Sequence, residues 1–163
     1  MRIGYGYDVH KLKQGRPCVL CGVVIPSDFG PDGHSDADVP IHALIDALLG
    51  ALALGDIGRH FPDTDLKWKN AKSTVLLKKT YAKVLDNGYM LSNADITIVL
   101  EAPKLFAYIE NMRAVISNVL ETDITNVSIK ATTEEKADFV GDGDEIKSSA
   151  IVLLLPVNSQ IKS

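Results

Sequence analysis

The chain has 163 residues, of which 46% are hydrophobic and 23% charged, and its formal net charge is −4 at pH 7. This size and composition fit one globular domain with its own core, and the acidic balance argues against partners such as nucleic acid or an anionic membrane. No apolar run reaches the roughly 18 residues of a membrane span, and the N-terminus lacks the apolar segment of a secretory signal, so we expect a cytoplasmic protein.

The apolar pattern divides the chain into strands and helices in a mixed order. In chain order we predict a strand at 2–9, a strand at 18–25, a Gly-, Asp- and Ser-rich loop at Ser27–Asp38, a helix at 40–54, an irregular segment at Asp56–Trp68, a helix at about 70–87, a strand at 92–101, a helix from Pro103 to about Leu120, a strand at 126–131, a loop at 132–145 and a strand at 146–156. Because strands and helices do not alternate strictly, the prediction is an α+β fold of a single domain (1–163), with helices packed on one face of a mixed sheet.

The first predicted strand has two chemically different faces. Residues at every second position of a strand share a face, so a polar, glycine-containing set alternates with an apolar set that we expect to pack. The sets are Gly4, Gly6, Asp8 and His10, and Ile3, Tyr5, Tyr7 and Val9. Asp8 and His10 direct an oxygen and a nitrogen at a common point, which suits a zinc-class metal, although a surface Asp–His pair at a strand end gives the same pattern. Glycine inside a strand often marks a close approach by a ligand or by backbone.

A second polar cluster precedes and enters the helix at 40–54. Asp38 has the position of an N-cap residue and Pro40 that of a first-turn proline, which places His42 in the first helical turns. Helix N-termini bind phosphate through free N–H groups, and His34 and Ser35 lie just before this one. Taken alone, however, His42 is more simply explained as a core histidine with a hydrogen-bond partner.

Three later loops also carry polar residues, at Gly55–Asp65, Leu100–Leu105 and Lys130–Lys136. The first fits a plain acidic surface loop equally well. In the third, Thr132 and Glu135 match a capping box, which would begin a helix.

Cys18 and Cys21 have the C-x-x-C spacing of redox and zinc sites. We interpret them as packing residues, because positions three apart on one strand face opposite sides and no second C-x-x-C completes a zinc site.

Together these clusters resemble the 2-C-methyl-D-erythritol 2,4-cyclodiphosphate synthase family. The matching motifs follow one another in family order over nearly the whole chain: RIG and DVH in 2–10, GHSDADV in 33–39, HAL-x-DALLG in 42–50, GDIG in 55–58, FPDTD in 61–65, EAPK in 101–104 and KATT-x-E in 130–135. The resemblance implies conversion of 4-diphosphocytidyl-2-C-methyl-D-erythritol 2-phosphate to the 2,4-cyclodiphosphate with release of CMP, in the non-mevalonate isoprenoid pathway. It also implies a metal-dependent phosphorus–oxygen lyase that is a homotrimer with sites between subunits.

The resemblance assigns roles to individual residues. It places Zn²⁺, Mn²⁺ or Co²⁺ at Asp8, His10 and His42, and Mg²⁺ or Mn²⁺, bound with the substrate diphosphate, at Glu135. It makes His34, Thr133 and Glu135 catalytic. The substrate-binding set that it implies is His34 and Ser35 at the 2-phosphate, Asp63 at the erythritol hydroxyls, Asp56 and Gly58 at the ribose, Thr133 beside the diphosphate, Ala102, Pro103, Lys104, Leu105, Ala131 and Thr132 around the cytosine, and also Asp8, His10, Phe61 and Phe139.

The chain departs from the family pattern at a few positions. Ala37 replaces a common glycine, Cys18 and Cys21 stand where aliphatic or small residues are usual, and Asp142 stands where arginine is common. Three copies of Asp142 in a trimer would gather negative charge near the axis, so we predict that the centre does not bind geranyl or farnesyl diphosphate.

Two other classes of protein fit the residues without the resemblance. A metal-dependent phosphohydrolase would use the same three metal ligands and the same helix N-terminus, but it would incorporate solvent oxygen into its product, whereas the cyclase would not. A non-enzymatic metal-binding or scaffold protein would not require Thr132, Thr133 or the loop at 100–105.

Overall fold

The computed structural model describes residues 1–68, 70–137 and 143–157. Its main sheet has five strands in the order β4-β1-β7-β5-β6, and a separate hairpin has two. The strands are β1 (Arg2–Gln14), β2 (Cys18–Leu20), β3 (Val23–Ile25), β4 (Phe29–Pro31), β5 (Tyr89–Val99), β6 (Val127–Thr132) and β7 (Glu145–Pro156). The β5–β6 pair is parallel and the other pairs are antiparallel, so the sheet is mixed, as predicted.

Four α-helices occur in the described residues: α1 (Val39–Ala51), α2 (Ile57–His60), α3 (Ser73–Asp86) and α4 (Ile109–Val119). Helix α1 packs across β1 and β7, α3 packs against α1, and α4 packs against β6. The alternating apolar residues of β5 are buried in the core, as their period of two predicted. They include Ala94, Ile96 and Ile98. The α+β prediction for a single domain is confirmed. None of the helices described has the length and apolar character needed to cross a membrane.

Helix α1 lies unusually close to β1 because two positions of the strand are glycine. A Cβ atom built on Gly4 would lie 1.8 Å from the carbonyl oxygen of Ala47, and one on Gly6 would lie 1.9 Å from that of Ala43. Any side chain at either position would therefore push the helix away from the sheet. The close approach that these glycines allow is by backbone, and it brings His42 on α1 beside Asp8 on β1.

The apolar face of β1 is exposed in the single chain. Ile3, Tyr5, Tyr7 and Val9 were expected to pack, but they are 68%, 62%, 48% and 41% exposed. Ile151 on β7 pairs with Tyr5 and is also exposed. The expectation is wrong within one chain, because the helices pack on the opposite face of the sheet, where Gly4 and Gly6 lie.

The predicted strand at 18–25 is in fact a hairpin. Its two strands turn at Cys21 and Gly22, whose φ angles are +50° and +75°. Nothing in the local sequence apart from the glycine indicates this turn, since Cys is not a typical residue at positive φ. The predicted loop at Ser27–Asp38 likewise contains β4, which pairs with Leu12–Gln14 and so extends β1 beyond residue 9.

Both cysteines are buried and free. Burial raises the pKa of Cys18 to about 11 and also raises the pKa of Cys21, with the charge of Asp38 acting in the same direction. Neutral, buried thiols are poor metal ligands and poor nucleophiles. The argument from one continuous strand was wrong, but these environments support the interpretation of the cysteines as packing residues.

Candidate metal centre and substrate pockets

Three side chains from two elements converge at the C-terminal half of β1. Asp8 and His10 come from one face of β1, and His42 comes from the first turns of α1. One Oδ atom of Asp8 lies 3.1 Å from His10 Nε2 and 3.1 Å from His42 Nδ1. The potential ligand atoms of the three residues all lie within 4.8 Å of one another. One carboxylate oxygen and two imidazole nitrogens form a donor set that suits a zinc-class ion with a remaining open position.

The charges in this cluster are coupled to one another. Burial works to raise the pKa of Asp8, but hydrogen bonds with His10 and His42 and the charges of the two rings outweigh it and hold the pKa at about 2. The hydrogen bond to Asp8 raises the pKa of His10, while burial opposes it. Asp8 is therefore ionised at neutral pH and ready to accept a cation.

A different group holds each imidazole in place. His10 Nδ1 lies 2.6 Å from the carbonyl oxygen of Asp32, which leaves Nε2 directed at Asp8. His42 Nε2 lies 3.0 Å from the hydroxyl of Ser73 and 3.2 Å from that of Ser35. Sequence reasoning missed the Asp32 carbonyl and Ser73, since no local motif marks either of them.

The three candidate metal ligands line a pocket of about 280 Å³ together with several predicted substrate-binding residues. These residues are His34, Ser35, Gly58, Phe61 and Asp63. Trp68, which sequence reasoning did not select, also lines the pocket, and its ring makes an edge contact with Phe61 at a centroid distance of 5.0 Å. We refer to this cavity as the metal pocket.

The predicted ribose-binding segment is anchored next to the metal pocket. Asp46, one turn after His42 on α1, accepts a hydrogen bond of 2.7 Å from the backbone N–H of Ile57. Asp56 does not line the pocket but caps α2, accepting from the N–H of Arg59 at 2.9 Å. Helix α1 thus fixes both the candidate metal ligand His42 and the position of Gly58.

A second and larger pocket, of about 700 Å³, lies between α4 and the ends of β5 and β6. Its lining includes most of the residues predicted around the cytosine, namely Pro103, Lys104, Leu105, Ala131 and Thr132, but not Ala102. Thr133, predicted beside the diphosphate, lines it as well. Phe106 and Ile129 line it as well and were not predicted. We refer to this cavity as the base pocket.

The described residues that follow β6, 133–137, contain a turn and not a helix. Thr132 is the last residue of β6, and positions 135–137 form a turn, so the capping-box interpretation is wrong. The hydroxyl of Thr133 instead donates to the Glu135 carboxylate at 2.7 Å, and Glu101 accepts from the backbone N–H of Glu134 at 3.1 Å. Phe139 and Asp142, to which the sequence also assigned roles, lie outside the described residues.

The sequence profile of the YgbB family matches residues 1–155. The chain belongs to this family. A curated relative from Vibrio vulnificus, named 2-C-methyl-D-erythritol 2,4-cyclodiphosphate synthase, is 54% identical over 155 residues, which are 95% of this chain and 98% of the relative.

Solved structures of such synthases have the same fold. A structure of 2C-methyl-D-erythritol-2,4-cyclodiphosphate synthase in a CDP-bound form superposes with a TM-score of 0.88 at 38% identity, covering 94% of this chain and all of the other. The IspF–CDP complex of Plasmodium falciparum gives a TM-score of 0.84 at 34% identity, covering 95% and 96% of the two chains. The resemblance inferred from the motifs is confirmed, and the matches do not support the alternative of a phosphohydrolase.

In this YgbB-family chain the predicted site residues fall into two groups that do not share a pocket. The metal pocket and the base pocket have no lining residue in common. Asp8 and Ala131 lie in one row of the sheet, which runs through Ser148 and Ile98, so three strand spacings separate them. At about 4.8 Å per spacing, this row spans roughly 14 Å.

Proposed function

We propose that the chain converts 4-diphosphocytidyl-2-C-methyl-D-erythritol 2-phosphate to 2-C-methyl-D-erythritol 2,4-cyclodiphosphate and CMP, acting in the cytoplasm as a homotrimer. The single observation that supports this most is the pairing of a metal-ligand trio, set among polar residues, with a second pocket beside Thr133 and Glu135. The cytosine of a cytidine diphosphate compound requires a pocket that accepts the base, and its phosphate groups require nearby positive charge. The CDP-bound state of a close structural relative is consistent with a cytidine substrate.

The reaction needs positioning more than a protein nucleophile. An oxygen of the substrate's 2-phosphate attacks the β-phosphorus, a new P–O bond forms, and the bond from the β-phosphorus to the oxygen it shares with the α-phosphate breaks, so that CMP leaves with that oxygen. Ser35 keeps a hydroxyl at the mouth of the metal pocket, and His34 is an exposed residue beside it. These two side chains hold the 2-phosphate, while Asp63 binds the erythritol hydroxyls.

The chain has two places for cations. Asp8, His10 and His42 would hold a zinc-class ion, and the half-buried carboxylate with two oriented imidazoles fits such an ion. Glu135 would hold a magnesium-class ion, because one carboxylate together with substrate phosphates is a common set of ligands for Mg²⁺. When bound, both ions supply positive charge that neutralises phosphate oxygens. Thr133 orients the Glu135 carboxylate through its hydroxyl.

The base pocket provides the selectivity for cytosine. Its rim is formed by the backbone of the segment after β5 and by the last residues of β6. Fixed backbone donors and acceptors discriminate between bases, because a mismatched base leaves polar atoms without partners. Glu101 holds the neighbouring loop in position by accepting from Glu134.

The trimer would complete the site. The metal pocket and the base pocket lie apart within one chain, and an apolar face of the sheet is exposed. Covering that face with a second and a third copy would bury its aromatic and aliphatic side chains. It would also allow the metal pocket of one chain to face the base pocket of the next.

The function is tested by mass spectrometry of the products formed in ¹⁸O-labelled water with zinc and magnesium present. We expect equal amounts of CMP and an unlabelled cyclic diphosphate, since the nucleophile is a substrate oxygen. A phosphohydrolase would instead release an ¹⁸O-labelled linear phosphate. That product, or the absence of any turnover of the cytidyl substrate, would contradict the proposal.

A further inference from the structure

We propose that Ser73 and Asp36 are positioning residues that accept the Nε2 proton of His42 when Nδ1 binds the metal, and so hold the ring in its metal-binding orientation. Neither residue lines the metal pocket, and both act through His42. This inference rests on the metal-site part of the proposed function.

The contacts form a continuous chain from Asp8 to Asp36. His42 Nδ1 faces Asp8 at 3.1 Å, and His42 Nε2 faces the Ser73 hydroxyl at 3.0 Å. The Ser73 hydroxyl makes a short hydrogen bond to one carboxylate oxygen of Asp36. The other carboxylate oxygen accepts from the backbone N–H of Ser73 at 3.0 Å.

Counting protons along this chain shows which form of His42 the Ser73 contact favours. An ionised carboxylate accepts hydrogen bonds and donates none, and a serine hydroxyl has one proton to give. Since Ser73 gives its proton to Asp36, its oxygen faces His42 as an acceptor for a proton on Nε2. Without a metal, the ionised Asp8 carboxylate competes for the ring proton at Nδ1. With a metal bound at Nδ1, the ring proton would lie on Nε2, where Ser73 accepts it.

Ser35 does not reverse this assignment. Its hydroxyl oxygen lies 3.2 Å from His42 Nε2 and accepts from the backbone N–H of Ala37 at 3.1 Å. The same Nε2 proton can be shared between the two serine oxygens. The Ser35 proton is then left to point elsewhere, for example at a bound phosphate.

The surrounding structure holds this chain in place. Ser73 is completely buried at the first position of α3, which packs against α1, the helix that carries His42. The N-cap residue of α3, Lys72, makes no capping bond with its side chain, so the Asp36 carboxylate supplies the acceptor for this helix end. Asp36 also donates its own N–H to the carbonyl oxygen of Ala71 at 3.3 Å. The loop before α1 and the start of α3 are thereby joined through the group that orients His42.

The two metal-binding histidines differ in a way that makes the inference testable. His10 is oriented by the backbone carbonyl of Asp32, which no substitution removes. His42 is oriented by side chains, which can be changed. Metal-ligating histidines commonly give their second N–H to a carboxylate or carbonyl, and removing such a partner usually costs 10- to 100-fold in metal affinity.

The first test needs no substitution. Long-range ¹H–¹⁵N NMR of the histidine rings in the zinc-loaded wild-type protein reports which ring nitrogen is protonated and which one binds the metal. We expect the proton of His42 on Nε2. A proton on Nδ1 would overturn the inference, whatever the activity of the protein.

The second test uses Ser73→Ala, Asp36→Asn and a matched control, Ser117→Ala. Ser117 is also a buried helical serine, but its hydroxyl donates to the carbonyl oxygen of Ala114, in its own helix. We expect Ser73→Ala to weaken zinc binding by about 10- to 100-fold and Ser117→Ala to leave it unchanged. In Asp36→Asn the amide can donate to Ser73, so that the Ser73 hydroxyl can donate to Nε2 in place of accepting from it, and zinc binding should weaken as well.

The outcomes separate this inference from the proposed function. If His42→Ala keeps full zinc affinity, the metal site itself is wrong. If His42→Ala loses zinc while Ser73→Ala binds it as tightly as the wild type does, only the positioning role fails. A loss in Ser117→Ala as large as that in Ser73→Ala would also overturn the role, since it would reflect a general loss of stability.

Discussion

Asp38 shows how one buried side chain sets the start of the helix that carries the candidate metal ligand His42. Its carboxylate accepts from the backbone N–H groups of Cys21, Gly22 and Ile41 at 2.8, 2.6 and 3.2 Å. Burial raises its pKa to about 7, although these three hydrogen bonds act in the opposite direction. The predicted N-cap role is confirmed, and the same residue also ties the turn of the β2–β3 hairpin to α1.

Replacing Asp38 by alanine should therefore destabilise the protein more than the loss of an ordinary cap. Removing a cap costs about 1 kcal/mol, and each buried N–H left without a partner costs about 1–3 kcal/mol, so a loss of at least about 2 kcal/mol is expected. Urea denaturation at a fixed protein concentration measures it. Asp86→Ala, an exposed position at the end of α3, is the control and should change stability by less than about 0.5 kcal/mol. Equal losses of unfolding free energy in the two variants would show that the Asp38 carboxylate contributes no more to stability than an exposed carboxylate does.

Glu135 allows a second test at the scale of one side chain. Glu135→Gln retains an oxygen that can accept from the Thr133 hydroxyl but removes the charge that a magnesium-class ion requires. We expect turnover to fall sharply at limiting magnesium and to recover in part at high magnesium, while the unfolding transition stays within about 0.5 kcal/mol of wild type. Steady-state kinetics over a range of magnesium concentrations measure this. Unimpaired turnover at limiting magnesium would leave the carboxylate without a metal role.

At the scale of elements, the junction of β1 and α1 decides whether the three candidate metal ligands meet. A methyl group on Gly6 would be 1.9 Å from the carbonyl oxygen of Ala43, a backbone atom that cannot move without the helix. Gly6→Ala should thus shift α1 and lower the free energy of unfolding by about 1–3 kcal/mol. Zinc binding should weaken as a consequence. Gly50→Ala is the matched control, because a Cβ atom on Gly50, which lies in α1, would be 3.9 Å from the carbonyl oxygen of Tyr5. Alanine there should raise the free energy of unfolding by up to about 1 kcal/mol. Calorimetry with zinc and thermal unfolding measure both effects, and full zinc affinity in Gly6→Ala would contradict the argument.

The sequence predicted which residues of β1 share a face at this junction, but it did not predict the contacts that hold the junction in place. The period of two in β1 identified Gly4, Gly6, Asp8 and His10 as one face, because strand geometry follows directly from sequence spacing. The hairpin at Cys21 and Gly22 escaped prediction, since its turn relies on a cysteine at positive φ. The contact of Ser73 with Asp36 and His42 joins positions more than 30 residues apart. Only the packing of α3 on α1 creates that contact, and no local pattern encodes it.

At the scale of the whole molecule, the sequence separated the two faces of the sheet but could not say what covers the apolar one. The alternation in β1 is the same whether its apolar side chains meet a helix of the same chain or another subunit. In the structure, the helices cover the glycine-containing face, and the exposed face presents Ile3, Tyr5 and Tyr7 beside Ile151. An apolar surface of this kind on a folded chain typically marks a protein–protein interface. The proposed trimer accounts for both this surface and the separation of the two pockets.

Ile151→Asp should therefore prevent assembly without disturbing the metal site. Ile151 is 50% exposed in the single chain, so a charge there costs little in an isolated subunit but would be buried and unpaired in a trimer. We expect sedimentation velocity to give a trimer for the wild type and smaller species for the variant, together with a loss of turnover. Zinc binding should persist, because Asp8, His10 and His42 come from one chain.

Val75→Asp is the control. Val75 has a similar exposure of 47% but lies on α3, away from the sheet face. This variant should stay trimeric and active. A monomeric wild type with full activity, or an Ile151→Asp trimer as active as wild type, would show that the exposed sheet face does not build the site.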